Sequence, residues 1–290
     1  MEPYEVWVRE DLRHGDITTV ALRLSGTGVG EVLAKQAGVI AGLEAVDPLW
    51  EAAAVRTTAV VPDGSAVAGG TTVLRLEGAL SALHGRERAC LNLLGRMSGI
   101  ATATARLGAQ VRTLNPQVRI AATRKTAPGL RHYDKWAVVL GGGDSHRYDA
   151  GCGILIKDRH LSTLGVTEAV CRARAYAWRP PVDVPAWAQR SFAFGKVAVE
   201  VCTTDAAVAA ADAGADILLL DNLDPVEARV VAAAARAARP EVLIEISGRL
   251  DPQTIEAYAA TADVLSVGWL THSAPALDLS MRTLPVAGAP

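Results

Sequence analysis

The chain has few cysteines and spaces them without pattern. Cys90, Cys152, Cys171 and Cys202 form no C-x-x-C pair, which argues against a zinc site or a disulfide framework. They read as small buried hydrophobes in a reducing compartment. Long apolar runs are also missing, and no uninterrupted stretch could span a bilayer. The opening segment, Met1 to Glu10, is polar and charged and lacks the apolar centre of a signal peptide. A soluble cytoplasmic protein is the expectation. Neither charge sign is in excess: 29 Lys and Arg face 31 Asp and Glu, a formal net charge of -2. Such a balance speaks against nucleic acid or an anionic membrane as partner. Attraction for an anionic ligand must then come from a local cluster of cations. No internal repeat of fixed period stands out.

What is present is a series of short apolar runs, each stopping on charged or small polar residues. VRIAATRKT reaches Arg124 and Lys125, GILIKD reaches Lys157 and Asp158, and KVAVEVC carries Glu200. DILLLDN ends at Asp221, VLIEISG holds Glu245 and Ser247, and DVLSVGW ends at Gly268. Short β-branched-rich runs bounded by polar residues read as strands buried on both faces. Helical stretches separate most of them, which predicts parallel βα units. One is the alanine-rich TTDAAVAAADAGAD with Gly214 as C-cap; another is PVEARVVAAAARAARP, opening at Pro225. The proline- and aromatic-rich RPPVDVPAWAQRSFAFG reads as a loop. Six strands are evident, and a seventh is to be looked for in the structure. In a βα barrel the residues at the strand C-termini line one mouth. Before residue 103 the pattern differs. Residues 29–80 alternate as β-strands with glycine and Asp63 turns, and 82–112 read as a helix with Leu83, Leu91, Leu94 and Met97 inward.

Four constellations carry chemistry. TRKTAPGLR places Arg124 and Lys125 at a strand end, either as a fork and point charge for a carboxylate or phosphate or as a solvated turn. GGGDSHRYDAG sets His146 and Arg147 behind three glycines that allow close backbone approach; His146 reads equally as a structural histidine. Glu200 and Asp221 end two successive strands. They would hold Mg²⁺, stabilise a developing cation, or pair with Lys125 or Lys157. Ser247, Gly248 and Gly268 end the last two strands, where barrel folds commonly bind phosphate at a following helix N-terminus. Two unit charges about 4 Å apart interact by about 4 kcal/mol at an effective dielectric of about 20. Gathering Arg88, Arg124, Lys125, Arg147 and Lys157 is balanced most simply by a substrate bearing both carboxylates and phosphates, which suits a transferase.

These residues carry a family resemblance. The segments EDLRHGDITT, RERACLNLLGRMSGIAT, TRKTAPGLR, GGGDSHRYD, ILIKDRH, ILLLDN, EISG and SVGWLTHSAPALDLS run in order from residue 10 to residue 280. The chain resembles the quinolinate phosphoribosyltransferase family, the carboxylating nicotinate-nucleotide pyrophosphorylases. The resemblance implies an incomplete, open α/β barrel over residues 103–272, with a β-rich α+β N-terminal domain over 1–102 joined by segment 273–290. It implies transfer of phosphoribosyl from phosphoribosyl pyrophosphate to quinolinate with loss of CO₂, in NAD biosynthesis. The alternatives are a same-fold transferase for another pyridine or aromatic acid, or a non-catalytic ligand-binding homologue. By resemblance, Lys125, Lys157, Glu200 and Asp221 are catalytic. Quinolinate would meet Arg124, Lys125, His146, Arg147 and Lys157, with Arg88 supplied by the partner of a homodimer or larger homo-oligomer. Glu200 and Asp221 would hold Mg²⁺ through water, and Ser247, Gly248, Arg249 and Gly268 would hold the 5-phosphate.

The chain departs from the family pattern at Asp144, Arg159, Ala198 and Arg249. Asp144 is expected to add negative charge near the carboxylate pocket. Arg249 stands where a second glycine is usual; it either adds a phosphate contact or blocks backbone approach. The short N-terminus implies that a leading helix is missing.

Overall fold

The computed structural model describes residues 3–285, so the predicted domain ends at residues 1–2 and 286–290 lie outside the described residues. In chain order the first elements are α1 (Pro3–Asp11), α2 (Ile17–Ala21), β1 (Thr27–Ala34), β2 (Gly38–Val39), α3 (Leu43–Glu51), β3 (Arg56–Ala59), β4 (Ala66–Val67), β5 (Thr72–Ala79) and α4 (Leu80–Arg112). Next come β6 (Arg119–Ala122), α5 (Arg131–Leu140), β7 (Ile154–Ile156), α6 (Asp158–Leu164), α7 (Val166–Ala175), α8 (Ala186–Gln189), β8 (Val197–Val201) and α9 (Thr204–Asp212). The last are β9 (Ile217–Asp221), α10 (Pro225–Ala238), β10 (Leu243–Ser247), α11 (Glu256–Ala259), β11 (Val264–Val267), α12 (Trp269–His272) and β12 (Leu279–Pro285). Two compact units emerge: described residues 3–103 with 275–285, and Thr104–Ala274.

The first unit is built on an antiparallel sheet of order β12-β1-β5-β3. β1 alternates buried and more exposed positions, so Val32 and Ala34 face a core shared with Leu74 and Leu76 of β5. α4 buries Leu83, Leu91, Leu94 and Met97, the face its periodicity predicts. Two helices depart from expectation. Pro3–Asp11 forms α1, so a leading helix is present. α3 interrupts the predicted β-rich stretch, and it buries Leu43, Val46, Leu49 and Trp50 on one face. That i, i+3, i+6, i+7 spacing is helical, but the β-like alternation around it hides it.

The second unit holds a six-stranded sheet of order β6-β11-β10-β9-β8-β7, with every neighbouring pair parallel. These are the six apolar runs. The seventh strand position is a single parallel bridge from Asp144 to Ala121 on the free edge of β6. No ladder among the described residues joins that segment to β7, so the barrel stays open. One apolar layer unites the inner face: Ala121, Ala198, Ile217 and Val264 with Phe192 and Ala193, flanked by Leu155 and Leu243. Ala198 therefore lies in the core and does not line the mouth of the barrel. The proline-rich loop contains the single turn α8.

Helix ends are well specified. Asp16 caps α2 by accepting from the N–H groups of Thr18 and Thr19. Asp224 and Glu227 form a capping box on α10, which opens on Pro225. The cysteines only half follow expectation. Cys90 and Cys152 are buried, whereas Cys171, on α7, and Cys202, just past β8, are exposed, and all four are free thiols. No helix among the described residues is long and apolar enough to cross a membrane.

Candidate functional site

Strand side chains alternate faces with period two. Counting from the apolar layer of the second unit therefore gives the site. Ala198 leads to Glu200, Ile217 to Leu219 and Asp221, and Leu243 to Glu245 and Ser247. Val264 leads to Ser266 and Gly268, and Ala121 to Thr123 and Lys125. All the residues reached in this way line one cavity of about 840 Å³, together with Arg124, His146, Arg147, Lys157, Gly248 and Arg249. The sequence-predicted residues of this unit thus meet in one place. Arg88 belongs to the first unit, exposed on α4.

The acidic pair is already engaged. Lys157 Nζ donates to Glu200 Oε2 at 2.6 Å, so one of the pairings weighed from sequence is realised. Asp221 instead accepts from Ser247 Oγ at 2.5 Å and from Asn222 Nδ2 at 2.7 Å. Carboxylate oxygens at the ends of adjacent strands are hard donors that suit Mg²⁺, which keeps several waters and takes one or two protein carboxylates. Among the described residues no group of three or more His, Cys, Asp or Glu is arranged to hold a metal. The donor set fits an ion held mainly by water and substrate oxygens.

The loop after β10 is shaped by backbone. Gly248 has φ +89°, and an added Cβ would fall 2.4 Å from Asn222 Oδ1 and 2.7 Å from its backbone nitrogen, so only glycine fits. Arg249 follows in the left-handed region at φ +49° and is exposed. At Gly268 a Cβ would meet Lys125 Cδ at 3.1 Å. The helix expected behind this loop is displaced. α11 starts only at Glu256, while α12 follows Gly268 directly but is one turn long.

The loop carrying His146 and Arg147 is densely buried. His146, with φ +53°, and Arg147 are each 8% exposed. The His146 ring is held at both nitrogens: Nδ1 accepts the Arg147 backbone N–H at 2.6 Å, and Nε2 faces Glu245 Oε1 at 2.8 Å. Nδ1 must carry a lone pair to accept, so Nε2 bears the proton and donates to Glu245. The imidazole thus has no free nitrogen for a substrate carboxylate. Burial, reinforced by Arg124, pulls the Arg147 guanidinium below the usual arginine range, and Glu245 opposes the shift. Asp144 does not add its charge to the cavity. Its Oδ1 accepts from His146 N at 2.7 Å and Ser191 Oγ at 2.6 Å, and its Oδ2 accepts from Phe192 N at 3.2 Å. An Asx turn and a loop anchor consume the carboxylate.

Sequence reading missed two residues here. Glu245 was left without a role, although a lone carboxylate inside an apolar run is a signal. It is 1% exposed, and Oε1 also accepts from Ser266 Oγ at 2.5 Å. Burial works to raise this carboxyl, but the His146 and Ser266 donors and the Arg147 charge outweigh it and hold it below the usual range. Lys135 of α5 is fully buried, and its Nζ donates to the carbonyls of Ser145 and Ala122. It ties the end of β6 to the His146 loop. Burial, with Arg131 adding repulsion, lowers it to about 7.

Comparison with known proteins gives a consistent picture. The family model described as quinolinate phosphoribosyl transferase, C-terminal domain, matches residues 100–282, and the N-terminal domain model matches 16–98. A probable nicotinate-nucleotide pyrophosphorylase [carboxylating] of Archaeoglobus fulgidus is 38% identical over 93% of this chain and 99% of that protein. The nicotinate-nucleotide pyrophosphorylase [carboxylating] of Homo sapiens is 34% identical over 98% of this chain and 91% of that protein. Among solved structures, NadC from Streptococcus pyogenes superposes with a TM-score of 0.84 at 33% identity, covering 98% of this chain and 95% of that one.

Proposed function

The chain belongs to the quinolinate phosphoribosyltransferase family, and from that premise we propose that it transfers phosphoribosyl from phosphoribosyl pyrophosphate to quinolinate, releasing pyrophosphate and CO₂ and forming nicotinate mononucleotide for NAD biosynthesis. One observation carries the reading: a single cavity gathers the cations Arg124, Lys125, Arg147 and Lys157, the carboxylates Glu200 and Asp221, and the loop glycines Gly248 and Gly268. A ligand with two carboxylates, a ribose and phosphates needs each of these groups.

At the cationic end, Arg124 and Arg147 bind the quinolinate carboxylates, with Lys125 beside them and Arg88 from a second copy of the chain. Arginine forks match planar carboxylates bidentately. His146 shapes this end through its ring and its backbone rather than by a free ring nitrogen. Attack by the pyridine nitrogen on C1 of the ribose breaks the C1–O bond, and the electron pair leaves with pyrophosphate. Positive charge develops on the ribose, and Glu200 and Asp221 stabilise it from their fixed positions. Lys157, paired with Glu200 in the free protein, meets the departing anion. The new pyridinium then accepts the electron pair of the C2–carboxylate bond as CO₂ departs, and a proton from solvent replaces it at C2.

Glu200 and Asp221 would hold Mg²⁺ through water, and the ion when bound would neutralise charge on pyrophosphate. Ser247, Gly248, Arg249 and Gly268 bind the 5-phosphate through backbone N–H groups, the serine hydroxyl and a guanidinium. Confinement to this cavity is the second catalytic contribution, because it turns a bimolecular encounter into an oriented one.

The test is direct. Purified protein with quinolinate, phosphoribosyl pyrophosphate and Mg²⁺ should form nicotinate mononucleotide, pyrophosphate and CO₂, read by mass spectrometry and ¹³CO₂ release from 2-carboxyl-labelled substrate. Folded protein that forms none of these from quinolinate, yet turns over another pyridine or aromatic acid, would reassign the acceptor. No turnover with any acid would reduce the chain to a ligand-binding homologue.

A further inference from the structure

Glu245 sits at the floor of the cavity as a carboxylate with one busy oxygen and one idle one. Oε1 accepts from both His146 Nε2 and Ser266 Oγ, while Oε2 is buried without a hydrogen-bond partner. A buried carboxylate in a pocket for anions is unfavourable on two counts, since it is desolvated and it repels the ligand. Its presence calls for a compensating task.

The hydrogen bonds define that task. Glu245 can only accept when ionised, which forces the His146 proton onto Nε2. Nδ1 is then a bare acceptor, and it takes the backbone N–H of Arg147 at 2.6 Å. The imidazole therefore bridges strand β10 to the main chain of Arg147. His146 itself holds a left-handed φ of +53°, a conformation that is strained for a non-glycine residue and persists only where the surroundings over-determine it. Three contacts do so here: Glu245 on Nε2, Arg147 N–H on Nδ1, and Asp144 on the His146 backbone N–H. Beyond this bridge the Arg147 guanidinium is loosely anchored, with Nη1 to the Gly153 carbonyl at 3.3 Å and Nε buried without a partner. Its position depends on its backbone.

We infer that Glu245 is a positioning residue for acceptor recognition, acting through the His146 ring to fix the tautomer of that ring and the place of Arg147. The inference rests on reading this end of the cavity as the quinolinate site. The relay predicts a split effect. Removing the carboxylate frees His146 to protonate at Nδ1, where it would confront the Arg147 N–H donor, and Arg147 would shift away from the acceptor carboxylate. The phosphate loop follows Glu245 on the same strand but has anchors of its own, Ser247 Oγ on Asp221 and the Asn222 backbone N–H on the Ser247 carbonyl, and would keep its geometry.

The experiment combines kinetics with histidine ¹⁵N spectroscopy on the full chain, the His146 signals being assigned by comparison with His146→Asn. Wild type should show Nε2 protonated and Nδ1 unprotonated. Glu245→Leu should raise KM for quinolinate about tenfold, equivalent to ~1.4 kcal/mol, while KM for phosphoribosyl pyrophosphate changes less than about twofold. Glu245→Gln keeps a carbonyl acceptor and should recover most of the quinolinate affinity and the wild-type tautomer. Equal rises in both KM values, or loss of active fraction with both unchanged, would reduce Glu245 to a structural role. If the leucine variant does not fold, the wild-type spectrum and the glutamine variant still decide: an Nδ1-protonated His146 in wild type overturns the relay. Absence of any turnover of quinolinate by wild type would instead sink the assignment of the site, with the tautomer measured independently of it.

Discussion

Lys157 Nζ donates to Glu200 Oε2 at 2.6 Å across the ends of neighbouring strands β7 and β8. The side chains are 35% and 17% exposed, so water still screens the pair and its value lies in placement more than in stability. Each group satisfies the other in the free protein, and in the proposed reaction each meets an opposite charge on the substrate.

Kinetics should show that the two act as a unit. Lys157→Met and Glu200→Gln should each lower kcat/KM about a hundredfold, in keeping with ~3 kcal/mol for a lost preorganised charge. The double variant should fall far short of the product of the two losses. Steady-state measurements on the three variants check this, and fully additive losses would mean that the ion pair has no part in the reaction.

Arg249 sets backbone comfort against binding. Its left-handed φ of +49° is a conformation that glycine adopts at no steric cost. Arg249→Gly should therefore raise KM for phosphoribosyl pyrophosphate several-fold, with little change in KM for quinolinate, while the melting temperature stays level or rises. A glycine variant with unaltered KM would show that the guanidinium has no phosphate to meet.

Lys135 should impose a pH dependence on stability. Its pKa falls from 10.5 to about 7 in the folded state, so between those values the unfolded chain binds more protons. Stability must rise with pH through that window, because ∂ΔG/∂pH follows the proton excess of the unfolded state and approaches about 1.4 kcal/mol per pH unit for one group. Below pH 7 both states are protonated and the full penalty of burying the charge is present. Lys135→Met should flatten the rise, measured as denaturant midpoints from pH 7 to 10. An unchanged slope would place the effect elsewhere.

Arg88 is predicted to act on a neighbouring copy. Arg88→Ala and Arg124→Ala should each be inactive alone, and mixing the two after subunit exchange should restore part of the activity, since a hybrid dimer contains one intact site. No recovery, with exchange demonstrated by differential tagging, would remove Arg88 from that role.

Much of the site was legible before folding because strands and sites share one grammar. Alternation with period two places Glu200, Asp221, Glu245 and Ser247 above an apolar layer, and apolar runs that stop on polar residues mark the strand ends. The N-terminal β-strands and the long inward face of α4 were legible for the same reason, periodicity. Helix α3 was hidden, because its short period lies inside a stretch punctuated as β, and α1 because a polar segment carries little periodic signal. Asp144 misled since a carboxylate beside His146 and Arg147 looks like part of their pocket. Only the fold shows Ser191 and the Phe192 amide claiming it.

Residue order by itself determined which chemical groups stand at the strand ends, because alternation and hydrophobic burial are local rules read along the chain. The pairings among those groups belong to the tertiary structure: Lys157 with Glu200, Ser247 with Asp221, and Glu245 with His146 across 99 residues of sequence. Strand order and register bring them within hydrogen-bonding distance, and neither is a property of any one segment. The same holds for Lys135, whose proton affinity is lowered because the fold closes over it and removes the water that would have held its charge.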